Sequence, residues 1–185
     1  MRKVLISEMV SLDGFFSRPD GNLDWHMVDA EFNEWAINQL NSVDTLIFGR
    51  KTYEGMAGWW PTPMALEDDP VVTRKMNETQ KVVFSRTLKT ADWSHSRLVS
   101  ADPAQEIERL KAEPGKDMVI FGSGQIVAAL SRVGLIDEYR ILTCPILLGR
   151  GVPMFSDPGR QVNLRLTSSR VFGSGVALNI YEPQT

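Results

Sequence analysis

Val119-Ile120-Phe121-Gly122-Ser123-Gly124-Gln125 is the stretch on which the reading of this chain turns. A run of large apolar residues stops at a pair of glycines, and a helical pattern, Gln125–Val133, begins at once. The same event occurs at Leu46-Ile47-Phe48-Gly49-Arg50-Lys51-Thr52, and a third run, Val82-Val83-Phe84, ends in Ser85-Arg86-Thr87. In an α/β sheet, ligands bind outside the carboxyl ends of the strands, where backbone N–H groups and helix N-termini face outward and favour anions. Any one glycine can do no more than end a strand. Three such ends together, two of them carrying Arg beside Ser or Thr, describe a phosphate-rich dinucleotide site. Its expected contacts are Gly49, Arg50, Lys51, Thr52, Ser85, Arg86, Gly122, Ser123, Gly124 and Gln125.

Outward from these turns, short apolar runs alternate with helical patterns, which argues for βαβ units and a largely parallel sheet. Strands are expected at Lys3–Met9, Thr45–Phe48, Lys81–Phe84, Arg97–Ser100 and Asp117–Phe121. Helices fit Asp29–Asn41, Lys51–Met56, Pro70–Thr79, Pro103–Ala112 and Gln125–Val133. From Asp137 onward strands follow one another, at Glu138–Thr143, Val162–Phe172 and Val176–Glu182, and Phe172-Gly173-Ser174-Gly175 turns the last two into an antiparallel edge hairpin. Ala57–Asp69 reads as a long irregular loop, a place where lids occur. No linker or repeat divides the chain, so residues 1–185 are expected to form one domain.

Composition narrows the function. Twenty basic against twenty-three acidic residues give a net charge of -3, with no basic stripe to suit nucleic acid. No apolar stretch is long enough to span a bilayer, and Met1-Arg2-Lys3 leads into a strand without a signal-peptide core, so a cytoplasmic protein is expected. Cys144, the sole cysteine, lies in an apolar run and reads as a buried thiol. His26 and His95 have no metal-ligand spacing with it, so no metal is expected. The third glycine of a Rossmann fingerprint is replaced by Val127, and the Walker pattern is missing. No Ser or Cys triad can be assembled either. A chain so poor in catalytic side chains suits hydride transfer, in which the protein mainly positions donor and acceptor, excludes water and supplies one acid.

Taken in order, Ser11-Leu12-Asp13-Gly14, Gly49-Arg50-Lys51-Thr52, Phe84-Ser85-Arg86-Thr87-Leu88, Gly122-Ser123-Gly124 and Pro145-Ile146-Leu147-Leu148-Gly149-Arg150-Gly151 resemble the dihydrofolate-reductase-like superfamily. Within it, the chain is most similar to the reductase half of the bacterial riboflavin-pathway deaminase/reductase RibD and its stand-alone relatives. The resemblance implies a single-domain three-layer α/β fold with a mostly parallel mixed sheet and an antiparallel C-terminal hairpin. It also implies a reductase using NADPH, with 5-amino-6-(5-phosphoribosylamino)uracil reduction as the family-level activity. Related reductases pair through the sheet edge, and the apolar Pro145–Phe155 segment points to the same homodimer.

The resemblance also suggests the acid. Trp25-His26-Met27-Val28-Asp29 is similar to the segment in which folate reductases place the carboxylate that grips the pterin, which makes Asp29 the first catalytic candidate and Asp13 the second. Asp29 is equally a plausible helix N-cap, and Asp13 a plain turn residue. A catalytic Asp29 is expected to have a raised pKa in an apolar pocket. Trp25, Tyr53 and Trp60 are the aromatic candidates for substrate contacts. Two departures from the riboflavin branch stand out. Phe121 occupies the position of a substrate-binding glutamate, and Asp29–Val43 holds Asp29, Glu31 and Glu34 with no Lys or Arg to receive a substrate phosphate. A small pyrimidine- or pterin-like heterocycle, uncharged or cationic, fits that helix better. Authentic folate reduction and NADPH binding without chemistry remain as alternatives.

Overall fold

Every residue of β1 (Val4–Ser11) is buried, so it can only be a central strand covered on both faces. Along the chain follow β2 (Phe15–Ser17), α1 (Ala30–Ser42), β3 (Val43–Gly49), α2 (Arg50–Trp59), α3 (Pro63–Asp68), α4 (Pro70–Glu78), β4 (Gln80–Phe84), β5 (Ser96–Val99), α5 (Pro103–Ala112) and β6 (Asp117–Ile120). The last elements are α6 (Gly124–Val133), β7 (Glu138–Cys144), β8 (Val152–Pro153), β9 (Leu164–Val171) and β10 (Ala177–Pro183). This computed structural model describes residues 1–155 and 159–184.

Eight strands form one sheet in the order β5-β4-β3-β6-β1-β7-β10-β9. From β5 to β7 all neighbours are parallel, and β10 runs antiparallel to both β7 and β9. Two apolar layers hold the helices on it. On one face Ile107 and Leu110 of α5 and Ile126, Val127 and Leu130 of α6 pack on Val4, Ile6, Ile47 and Ile120. On the other, Leu40 of α1, Tyr53 of α2 and Val72 and Met76 of α4 pack on Leu5, Leu46, Phe48 and Val119. Ile107 and Leu130 are fully buried, and a side chain in that state contributes about 1.5–3 kcal/mol. A third cluster, with Trp25, Phe172 and Leu178 at its centre, closes the β7–β10 end over α1.

The expected strands and helices are all present, with three additions. Ala57–Asp69 is no irregular lid: α2 runs on to Trp59, and α3 begins after one turn. Thr62 caps α3 by accepting from the Ala65 N–H at 3.2 Å, and Pro63 supplies the pre-set first helical position. The same Asp-Pro device starts α4 at Asp69-Pro70 and α5 at Asp102-Pro103. The other additions, β2 and β8, pair as a two-stranded ribbon beside the sheet.

Candidate active site

β3 and β6 are adjacent and parallel, yet the chain leaves them in opposite directions: α2 starts the route to β4 on one face, and α6 the route to β7 on the other. This is a topological switch point, the crevice where open α/β sheets bind ligands. The two turns there are sewn together. The Gly49 N–H donates to Ser123 Oγ at 2.8 Å, the Ser123 hydroxyl donates to the Phe121 carbonyl at 2.9 Å, and the Ser123 N–H donates to Thr52 Oγ1 at 3.0 Å. Gly122 and Ser123 both take left-handed backbone, with φ of 54° and 58°. A Cβ on Gly122 would stand 2.8 Å from Thr52 Oγ1. The Ser123 and Thr52 hydroxyls, expected to reach a phosphate, instead join the turns to each other.

What the turns leave open is backbone. Neither α2 nor α6 has a side-chain cap, so the N–H groups at Arg50-Lys51 and at Gly124-Gln125 lack side-chain acceptors among the described residues. Arg50, Lys51, Arg86 and Gln125 are exposed around them. Arg50 reaches the neighbouring strand end, donating to Thr87 Oγ1 at 3.2 Å. Ser85 Oγ organises that end by accepting from the N–H groups of Thr87 at 3.2 Å and Leu88 at 3.0 Å. Two uncapped helix N-termini flanked by two arginines fit a dinucleotide phosphate chain in donor set and charge.

Neither expected acid is held protonated. Asp13 is exposed and accepts from the Ser11 hydroxyl at 2.6 Å and from the N–H groups of Leu148 at 3.1 Å and Gly149 at 2.7 Å. The Ser11 bond leads in pulling its pKa down. It staples the Ser11-Leu12-Asp13-Gly14 turn to the Leu148-Gly149 loop. Asp29 caps α1 by accepting from Phe32 N–H at 2.8 Å, and its second oxygen accepts from Ser174 N–H at 2.6 Å in the β9–β10 turn. The Phe32 bond leads in lowering its pKa and, with the Ser174 bonds, outweighs the desolvation that raises it, so the raised value expected of a proton donor is corrected.

The acid that burial does perturb is one the sequence reading passed over. Glu8, in the middle of β1, is 8% exposed, and burial pushes its pKa up to about 8 against the lowering effect of the Gly122 N–H that it accepts through Oε2. Its sequence signal was an acidic residue among Leu5-Ile6-Ser7 and Met9-Val10, in register with apolar neighbours of a central strand.

The aromatic candidates separate. Trp25 is buried in the third cluster, edge-on to His26 with ring centroids 4.6 Å apart, and its indole N–H and His26 Nε2 have no partner among the described residues. Burial holds His26 neutral, with a pKa down to about 4. Together they leave one donor and one ring nitrogen unpaired and sealed from solvent inside the cluster. Tyr53 is a core residue instead: it is 4% exposed and its hydroxyl accepts from the Trp93 N–H at 2.9 Å. Trp60 lies at the opposite end of the sheet, in a cleft of about 420 Å³ with Asn77 and Glu78 just ahead of β4. A helix of ten residues separates it from Gly49, which rules it out as a wall of this site.

Similarity to known proteins runs the length of the chain. The uncharacterized protein YyaP of Bacillus subtilis (strain 168) is 29% identical over 180 residues, 97% of this chain and 94% of that protein. A Shewanella sp. PV-4 structure described as a candidate riboflavin biosynthesis protein superposes with a TM-score of 0.74 at 25% identity, covering 100% of both chains. Dihydrofolate reductase from Enterococcus faecalis, a complex with NADP(H), shares the fold at a TM-score of 0.67 and 15% identity, covering 99% of this chain and 97% of that one. The RibD C-terminal domain family matches residues 2–178, and the chain belongs to that family of riboflavin-pathway-type reductases.

Proposed function

We propose that the protein is a reductase that binds NADPH across the carboxyl ends of β4, β3 and β6 and reduces a small pyrimidine- or pterin-like heterocycle, acting as a cytoplasmic homodimer. The observation that carries this reading is the pair of uncapped helix N-termini, Arg50-Lys51 and Gly124-Gln125, set side by side by the Gly49–Ser123 hydrogen bond. Backbone N–H groups there receive the pyrophosphate, and Arg50 and Arg86 receive the 2′-phosphate through their planar forks. Bound in this way, NADPH supplies hydride. The chain's own residues orient it, exclude water and hold the partner heterocycle. The half-buried rings of Phe32 and Trp35, packed on Phe172, are the apolar surface offered to that heterocycle.

A second reading, 5-amino-6-(5-phosphoribosylamino)uracil reduction, draws on Arg170, whose guanidinium lies 4.8 Å over the Phe172 ring and 3.7 Å from Glu31. That cation offsets part of the acidic start of α1 and could meet a substrate phosphate. The dimer is supported by apolar side chains left in solvent: Leu147, Val152 and Phe155 in the Pro145–Phe155 segment, and Leu166 and Val171 on β9, an edge strand exposed along its whole length. Crystals soaked with NADPH and a panel of pyrimidines and pterins test the assignment. Density for the dinucleotide at the Gly49 and Gly122 turns supports it, and nucleotide bound elsewhere or not at all rejects it.

A further inference from the structure

Glu8 is an acid with no ion pair among the described residues. It is the only ionisable residue of β1, and Ile6 and Val10, which share its side of the strand, pack among Ile120, Ile126, Val127 and Met154. Its Oε2 accepts from the Gly122 N–H, the first amide of the turn that opens α6, while Oε1 accepts from no protein donor among the described residues. The charged groups packed on its own face are engaged elsewhere, Arg160 beside Tyr139 donating to the Ser131 carbonyl at 3.2 Å, and α2, whose Thr52 meets the same turn, carries Arg50 and Lys51 at the exposed rim. On β7, Glu138 and Arg140 pair with each other at 2.6 Å, and Arg140 reaches across the opposite face to Gln39 of α1. Tyr139, on the same face as Glu8, shares a hydrogen bond with Ser131 at 3.2 Å. On β6 the sole charge is Asp117, at the far end, accepting from the Lys3 N–H. β3 has only Asp44, paired with Arg2 at the same far end. α6 carries one charged residue, Arg132, in its last turn. On α5, Glu106 is held by Arg97 and Arg109, and Lys111 by Asp137. β2 and β8 carry no charge.

We propose that Glu8 is carried as the neutral carboxylic acid beneath the dinucleotide turn, and that cofactor binding at that turn takes up and holds this proton. The inference rests on the NADPH reading above. A carboxylate at Glu8 would place a negative charge on the buried side of the turn, two residues behind the Gly124 N–H offered to a pyrophosphate, and would repel it. The protonated form removes that charge and leaves the Gly122 N–H bond intact, since the carbonyl oxygen of the acid still accepts. By linkage, an anion that binds better to the protonated state raises the proton's affinity by the same factor. Burial already holds Glu8 near a pKa of about 8 in the free protein, so the proton exchanges within the accessible range. Glu8 is therefore a positioning residue: it fixes the turn through one oxygen and sets the charge under the cofactor through its proton.

The test is NADPH affinity by fluorescence titration from about pH 6.5 to about pH 9.5, in the unaltered protein and in Glu8→Gln, with calorimetry at about pH 8.5 in two buffers of different ionisation enthalpy. Glutamine keeps the acceptor for Gly122 and cannot ionise. The unaltered protein should lose at least about fivefold in affinity across the upper part of that range and take up a fraction of a proton on binding, whereas Glu8→Gln should change less than about twofold with no such uptake. Equal pH slopes in both proteins overturn the inference alone. A carbon-13 titration of the Glu8 carboxyl in the free protein is the independent check, and ionisation in the ordinary glutamate range of about 4–5 also overturns it. NADPH binding at no pH, in folded protein, rejects the cofactor reading and this inference with it.

Discussion

The Gly49 N–H donates to Ser123 Oγ at 2.8 Å, joining the ends of two adjacent parallel strands across 74 residues of chain. Because Ser123 also donates to Phe121 O and its own N–H reaches Thr52 Oγ1, one short segment fixes both helix starts relative to each other. Ser123→Ala removes the hydroxyl and leaves the Gly49 N–H without its acceptor. The variant should lose about 1–2 kcal/mol of stability in urea unfolding and bind NADPH several-fold more weakly, because the two N-termini are no longer held in register. An unchanged dinucleotide affinity would mean that the paired turns are structural only.

Gly122 faces a steeper test. Its φ of 54° and the approach of Thr52 Oγ1 to 2.8 Å of a would-be Cβ leave no room for a side chain. Gly122→Ala should cost about 1–3 kcal/mol and weaken NADPH and NADH together, since the pyrophosphate is common to both. Gly122→Val, with a branched Cβ in the same place, should cost more. Thermal unfolding paired with titration of each nucleotide reads the two effects. A variant that unfolds earlier yet binds both nucleotides normally contradicts a role for this turn in binding.

Glu8 makes stability depend on pH in an unusual direction. Its folded pKa is raised from 4.5 to about 8, so between these values the native state holds a proton that the unfolded chain releases. The contribution is complete below pH 4.5, where both states are protonated, and stability falls as pH rises through that window until it levels off above about 8. At 1.36 kcal/mol per unit the loss is roughly 5 kcal/mol at most. Urea unfolding at a series of pH values should show this decline in the difference between the unaltered protein and Glu8→Gln, because the rise in stability that His26 contributes between about 4 and 6.5 is common to both.

Asp29 carries the opposite sign. Its folded pKa is lowered, chiefly by the Phe32 N–H, so its contribution is present above the unfolded value and is lost as pH falls through the folded one. Asp29→Ala should lower the midpoint of thermal unfolding at neutral pH, by removing both the cap of α1 and the tie to Ser174. Asp29→Asn, which keeps one acceptor, should recover most of the loss. Turnover that survives in Asp29→Asn confirms the capping role, and turnover that collapses while stability holds returns Asp29 to the catalytic position.

Much of this was legible in the sequence because the central strands carry their own signature. Val119-Ile120 and Leu46-Ile47-Phe48 are apolar on both faces, as buried parallel strands are, and the glycines after them fall where those strands end. Hydroxyl partners were not legible. Ser123 and Thr52 are suitable phosphate ligands by type, and only the packing of α2 against the β6 turn reveals that they satisfy each other. Tyr53 and Trp60 were misjudged because aromatic composition says nothing about which end or face of a helix a ring occupies. α3 was hidden by Gly58 and the Trp-Trp-Pro run, although Thr62-Pro63 is a helix-start signal equal to the Asp-Pro pairs that were read correctly. Glu8 was overlooked because its significance lies in what surrounds it, and β1 had been read for its apolar residues alone.

The central claim is that the ends of β4, β3 and β6 hold the phosphates of NADPH. The most direct measurement is a calorimetric titration of NADPH and NADH into the unaltered protein and into the double variant Arg50→Ala/Arg86→Ala. The account expects NADPH to bind more tightly than NADH, and the double variant to lose at least about tenfold for NADPH with less than about threefold change for NADH. Equal weakening of the two nucleotides, or tighter binding of NADH by the unaltered protein, would contradict it.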